Sequence, residues 1–178
     1  MTRAGSLVYR TPQADEAGAL AALGQRSFCE SFAHLYSAED LNIFLDQMYS
    51  IPAVRAELSN PNRQYLVVEE GGSLIGYCKI AAGTTLDYDP GDKIMVELKQ
   101  FYILASHHGK GIAQIMMKWV IDQAQARNAD EIILSVYSEN PRAQAFYKKY
   151  DFAYAADTVF MVGQQADHEF LYIKPLIK

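Results

Sequence analysis

The stretch from Ile94 to Tyr137 limits what this chain can fold into more than any other. Ile94 to Leu104 is long and β-rich, and Gly109 and Gly111 then punctuate a turn. Gly111 to Asn128 is the clearest helical segment, because Ile112, Ile115, Met116, Trp119 and Val120 fall at i, i+3, i+4, i+7 and i+8 and make one apolar stripe. Ile132 to Tyr137 is a short apolar strand. Strand, helix, strand is a βαβ unit, whose two strands are expected to run parallel with a right-handed crossover.

The flanking segments complete a mixed α/β domain. Ser6 to Arg10 reads as a short strand ended by Thr11-Pro12, and the alanine- and leucine-rich Ala14 to Arg26 as a helix. Ser37 is placed to cap a second helix, with Asp40 at its third position and Leu41, Phe44, Leu45 and Met48 at helical spacing. Pro52 opens a third, closed by Ser59-Asn60-Pro61. The period then changes: Gln64 to Glu70 and Leu74 to Ala82 make a hairpin through Gly71-Gly72-Ser73. Thr84 to Asp92 is a polar loop. Beyond the βαβ unit, Pro141 to Tyr150 reads as a helix, Phe152 to Tyr154 begins a strand and Glu169 to Ile173 forms the last one. Antiparallel hairpins beside one parallel pair predict a mixed sheet in an α/β or α+β domain.

At 178 residues, 50% of them hydrophobic, the chain is sized for a single domain spanning 1–178. Its net charge of −5 argues against a nucleic-acid partner, which calls for a basic face, and suits a cationic substrate. Cys29 and Cys78 have no metal-ligand spacing and are too few for a disulfide scaffold, so both read as reduced, buried small hydrophobes. His34, His107 and His168 also lack ligand spacing, and no metal is expected. No apolar run approaches the ~18 residues of a membrane helix, and Met1 to Tyr9 has no signal-peptide core. The expectation is a cytoplasmic protein without membrane partners; a homodimer is compatible with the sequence but not specified by it.

The junction Tyr102-Ile103-Leu104 to His108-Gly109-Lys110-Gly111-Ile112-Ala113 carries the chemistry. Gly109 and Gly111 permit positive φ, so successive N–H groups can face one concave space beside the positive end of a helix. That makes an anion site without an overall basic protein. A Walker A loop fails because Gly111 and Ile112 follow Lys110. A dinucleotide fingerprint from Gly109 fails because Gln114 occupies its third small position. A loop for the pyrophosphate of an acyl-CoA remains.

His108 to Ala113 resembles the [Q/R]-x-x-G-x-[G/A] motif of the GNAT acetyltransferases. Asn140-Pro141-Arg142-Ala143-Gln144-Ala145-Phe146-Tyr147-Lys148-Lys149-Tyr150-Asp151-Phe152 resembles their N-x-x-A-x-x-F-Y-x-x-x-G-F hallmark. The resemblance is strong over Val96 to Phe152. Fainter similarity, through Glu30-Ser31-Phe32, Leu35 to Leu41 and Leu171 to Leu176, points to the bacterial polyamine acetyltransferase branch. It departs from the family at His108, which replaces the Gln or Arg, and at Asp151, which replaces a glycine and tolerates left-handed geometry better than most residues.

The resemblance implies a GNAT fold: a twisted sheet of about six or seven strands, parting near Leu104 and Val136 to admit the pantetheine of acetyl-CoA. It implies transfer of acetyl from acetyl-CoA to a primary amine by direct attack, with a small cationic amine or polyamine as acceptor. The alternatives are a protein N-terminus or lysine as acceptor, or a non-catalytic acyl-CoA sensor. Tyr147 is the expected acid for the departing thiolate; packing on the sheet is its structural alternative. Glu97 is the expected base through a water, against an exposed strand carboxylate paired to Lys99 on a face shared with Phe101. Phe101, Tyr102, Ile103 and Leu104 are expected to offer main chain to the pantetheine and the thioester oxygen. His108, Gly109, Lys110, Gly111, Ile112 and Ala113 are expected at the pyrophosphate. Asn140 is expected both to cap its helix ahead of Pro141 and to touch the pantetheine arm. Glu30, Glu39, Asp40 and Asp46 suit a cationic acceptor, or a solvated helix face.

Overall fold

The computed structural model describes residues 6–177. Its strands are β1 (Leu7–Arg10), β2 (Arg63–Glu70), β3 (Ser73–Ala82), β4 (Met95–Ile103), β5 (Glu131–Tyr137), β6 (Ala153–Val162) and β7 (Gln165–Pro175). The helices are α1 (Ala17–Phe32), α2 (Ala38–Tyr49), α3 (Ile51–Leu58), α4 (Ile112–Ala126) and α5 (Pro141–Lys148). The strands form one seven-stranded sheet in the order β1-β2-β3-β4-β5-β7-β6, antiparallel everywhere except the β4–β5 pair. This is the mixed sheet, with the parallel βαβ unit, that the sequence implied.

Local chemistry sets the element ends. The Ser37 hydroxyl accepts from the Asp40 N–H at 3.1 Å and starts α2 as expected. Ser50 caps α3 from the Ala53 N–H, and Asn140 caps α5 with Pro141 in the first turn. Asp151 takes φ +64°, the left-handed conformation that its place in the glycine position requires.

Three elements differ from their sequence readings. The first helix starts at Ala17 after a short 3-10 turn at Ala14–Glu16, and runs six residues past Arg26 to Phe32, because Ser27 and Phe28 are buried and continue its inner face. On α4 the buried set is Ile112, Met116, Met117, Val120 and Ala124; Ile115 lies at the stripe's edge and is exposed. The last strands are longer than read: β6 and β7 form a hairpin across Gly163-Gln164, with β7 beginning four residues before Glu169.

Strand β4 carries the feature that most affects the site. Its register with β3 pairs Ile80 with Leu98 but Lys79 with Gln100, so Lys99 is an extra, bulged residue. A bulge shifts the alternation by one. Glu97, Gln100 and Tyr102 therefore share one face with Tyr77 and Lys79, while Leu98, Phe101 and Ile103 share the other. The sequence expectation that Glu97, Lys99 and Phe101 share a face is thereby corrected. The first face meets the N-terminal helices: Gln100 donates to the Tyr49 hydroxyl at 3.1 Å and Lys79 to Glu57 of α3 at 2.9 Å. The second meets α5, with the Phe101 ring 5.6 Å from Phe146 and 6.4 Å from Tyr147.

Candidate active site

Strands β4 and β5 are paired only from Met95 to Glu97 and Glu131 to Ile133. Beyond Glu97 they separate, so the parting begins seven residues before Leu104, closer to the start of the strands than the sequence reading placed it. The cause is local. The Lys99 bulge bends β4 away immediately after the last paired residue, and β5 stays straight in its ladder with β7. The gap leaves one edge of β4 without a strand partner from Leu98 onward.

Two cavities meet at this gap. The first, of about 610 Å³, runs along the start of α4 and α5. The second, of about 420 Å³, lies under α1 and α2. Phe101, Ile103, His108 and Asn140 border both.

The first cavity opens on the N-terminus of α4, and the Glu30 carboxylate is part of its lining. Gly109 and Gly111 take φ +78° and +80°, so the chain turns tightly into the N-terminus of α4 and its first N–H groups are left for a ligand. Gly109, Gly111, Ile112 and Ala113 line it. The Nε2 of His108 lies 2.8 Å from the Ile103 carbonyl, and its Nδ1 lies 3.1 Å from Nη1 of Arg142. A carbonyl only accepts and a guanidinium only donates, so the ring must carry its hydrogen on Nε2 and accept at Nδ1. The cation of the groove is Arg142, which also lines it. Sequence reading gave Arg142 no role. The signal was its position directly after Asn140-Pro141, in the first turn of a helix that opens on the groove.

Not every expected residue reaches the groove. Lys110 does not border it and stands 3.9 Å from Glu70. Leu104 is buried in the core with its N–H on Ile75. Tyr102 borders the second cavity, through the phase change at the bulge. Asn140 caps its helix as expected, with Oδ1 accepting from the Ala143 N–H at 3.1 Å, and the residue borders both cavities. Tyr147 borders neither. It packs against Phe101, Phe146 and Phe152, and its hydroxyl makes no hydrogen bond among the described residues. Burial, with the nearby Cys78 and Glu169, pushes its pKa up, so it holds its proton at neutral pH.

The second cavity mixes aromatic and ionisable groups. Phe28, Phe32, Phe44 and Phe160 form one side. On the β4 wall, Glu97 is 3% exposed and fully engaged: it accepts from the Thr85 N–H at 2.7 Å, from both Thr84 and Thr85 hydroxyls, and from Lys99 at 2.8 Å. Burial pushes the Glu97 carboxyl up, but Lys99 and Thr85 together outweigh it and hold it below the ordinary carboxylate value. So Glu97 does pair Lys99, but as a buried group and not an exposed one. On the opposite wall stand Asp167 and Glu169 of β7. Both oxygens of Asp167 are bonded, one by the Tyr36 hydroxyl and one by Gln165 at 2.8 Å. The Oε2 of Glu169 is buried with no hydrogen-bond partner among the described residues.

The acids singled out in the sequence lie elsewhere. Glu30 accepts from the Ala105 N–H at 3.0 Å, Asp40 accepts from the Gln164 N–H at 2.7 Å, and neither borders the second cavity; nor do Glu39 and Asp46. Asp167 and Glu169 were missed because the last strand was begun at Glu169. Two carboxylates at i and i+2 of a strand share a face, and that spacing was the available signal.

A seven-stranded mixed sheet that opens beside a glycine turn and a helix N-terminus defines an acyl-CoA-dependent acyltransferase. The chain belongs to the acetyltransferase (GNAT) family, whose model matches residues 28–152. It is 28% identical over 162 residues to an uncharacterised N-acetyltransferase of Mycobacterium tuberculosis, covering 91% of this chain and 99% of that one. Its fold matches the PaiA N-acetyltransferase of Thermoplasma acidophilum in complex with coenzyme A, with TM-score 0.78, 19% identity, and 96% and 99% of the two chains covered. It also matches the spermidine/spermine N-acetyltransferase SpeG of Vibrio cholerae, with TM-score 0.64, 21% identity, and 96% and 95% covered. The likeness to the polyamine branch is thus one of fold. Among the described residues, no helix is long and apolar enough to cross a membrane.

Proposed function

We propose that the chain moves an acetyl group from acetyl-CoA to a primary amine that arrives as a small cation, by direct attack at the gap between β4 and β5. The observation that carries this reading is the junction of two unlike cavities at that gap: one with a cationic, glycine-built end, the other aromatic with a carboxylate wall. Acetyl-CoA supplies the activated acyl carbon. The α4 N-terminus and Arg142 hold its pyrophosphate; the free edge of β4 and the Asn140 amide hold the pantetheine arm. Tyr147 protonates the thiolate as it leaves.

Direct attack needs no protein nucleophile, and the cysteines suit none. Burial pushes the thiols of Cys29 and Cys78 up, and both stay protonated at neutral pH. Two carboxylate sites border the acceptor cavity: Glu97 on β4 and the Asp167–Glu169 pair on β7. The cavity carries carboxylates, and both of its lysines are already paired, which favours a cationic acceptor over an anionic one.

The test is product analysis. Isotope-labelled acetyl-CoA is incubated with the protein and a mixture of polyamines, small monoamines, amino acids and short peptides, and the products are read by mass spectrometry. The label is expected on a nitrogen of a small cationic amine. Label confined to peptide N-termini or lysines would move the acceptor to a protein, and label on no amine would contradict the reading.

A further inference from the structure

We infer that Glu169 of β7, and not Glu97 of β4, takes the proton from the incoming ammonium. The inference rests on the amine-acetyltransferase reading above.

A general base needs a free lone pair within reach of the acceptor. Glu97 is crowded: Thr84 and Thr85 put three donors on Oε2, and Oε1 is held by Lys99, whose salt bridge is weakened if the carboxylate takes a proton. Glu169 borders the same cavity with Oε2 buried and unbonded. It stands on β7, directly across the ladder from Tyr137 of β5, and β5 is the strand that bounds the gap opposite β4. The Glu169 charge is felt by Tyr36, by Tyr102 of β4 and by Tyr147 of α5.

The surroundings of Glu169 favour proton uptake. The groups facing it are Asp167 on its own strand, Ser135 and Tyr137 on β5, Tyr36 from the turn before α2, Tyr102 and Tyr147. None is a cation. The lysines of the cavity are already paired, Lys79 with Glu57 and Lys99 with Glu97. Burial raises the Glu169 pKa, the Ser135 hydroxyl pulls it back, and the Asp167 charge raises it further, leaving it above the ordinary carboxylate value. A carboxylate of raised pKa is the stronger base, and an ammonium beside it favours its ionised form.

The ammonium loses one N–H proton to Glu169. The freed lone pair forms the C–N bond to the acetyl carbon while the C–S bond breaks. The second nitrogen proton replaces the one Tyr147 gives to the CoA sulfur, and Glu169 passes its proton to solvent. Asp167 touches neither proton; its charge raises the basicity of Glu169.

The test is the pH profile of kcat/KM for acetyl-CoA-dependent thiol release, using the fastest acceptor among spermidine, 1,4-diaminobutane and phenethylamine. The wild type should lose activity as pH falls through the Glu169 pKa, since the protonated carboxyl cannot accept. Glu169→Gln should lower kcat on the order of 10²-fold and abolish that acid limb. Acetyl-CoA affinity by calorimetry and the melting temperature should stay as in the wild type. Glu169→Asp, which keeps a carboxylate, should restore the limb; Glu97→Gln should keep it. A Glu169→Gln enzyme with its rate and acid limb intact, or a limb lost in Glu97→Gln instead, would overturn the assignment while leaving the acetyltransferase reading in place. Wild-type protein that binds acetyl-CoA but releases thiol with none of the three amines would remove both.

Discussion

The two cavities that meet at the gap are built in opposite ways. The cavity proposed for acyl-CoA is lined mostly by two short stretches, the turn into α4 and the start of α5, with Glu30, Ser31, Phe101 and Ile103 completing it. The acceptor cavity is made of side chains drawn from α1, α2, β3, β4, β5, β6 and β7. A groove of main-chain N–H groups needs glycines at fixed positions and little else, so many chains can share it. A cavity of side chains can be changed one residue at a time without disturbing the groove. The cofactor is therefore common to a family and the acceptor is particular to a chain.

That contrast can be tested by substitution. The largest effect is expected from Gly111→Val. Its φ of +80° is costly for a β-branched residue, and the side chain enters the space the phosphates need. Acetyl-CoA affinity by calorimetry should fall on the order of 10²-fold, and wild-type affinity would show that the groove is misplaced. Tyr147→Phe comes next: kcat should drop on the order of 10²-fold with acetyl-CoA binding unchanged. An unchanged rate would reduce Tyr147 to a packing residue against Phe101 and Phe152.

Arg142→Ala should weaken acetyl-CoA binding about 10-fold, the scale of one charge-assisted hydrogen bond, and leave the ranking of amines untouched. A changed ranking would mean that the two cavities are not independent. The smallest effect on activity, but a clear one on stability, is expected of Gly24→Ala in α1. A methyl there would stand 2.4 Å from a ring carbon of Tyr49, whose hydroxyl is held by Gln100 at the cavity wall. Denaturant unfolding should show a loss of about 1–3 kcal/mol from overpacking.

The same contrast explains what could be read in the sequence. The groove was legible because its geometry follows from local order: glycines between a strand and a helix, and an asparagine before a proline. Ser37, Asn140 and Asp151 all do what their local context requires. The acceptor cavity was not legible, for two physical reasons. The Lys99 bulge is a property of two strands in register, and no pattern within β4 announces it; period-2 counting put Glu97 with Phe101, where the fold puts it with Gln100 and Tyr102. The β6–β7 hairpin brings Asp167 and Glu169 against Tyr36 and Tyr102 from distant parts of the chain, and only the ladder with β5 fixes where they face. Sequence pointed to acids on α1 and α2 because helical acids are easy to see; none of them borders the acceptor cavity, and Glu30 and Asp40 bind backbone N–H groups instead.

The measurement that bears hardest on this account is the initial rate of thiol release from acetyl-CoA, with the amine and acetyl-CoA varied independently. Intersecting lines are expected, as direct attack within a ternary complex requires, with turnover strongest for a small cationic amine. Parallel lines, the mark of a covalent acetyl-enzyme, or a preference for neutral or anionic acceptors would contradict it.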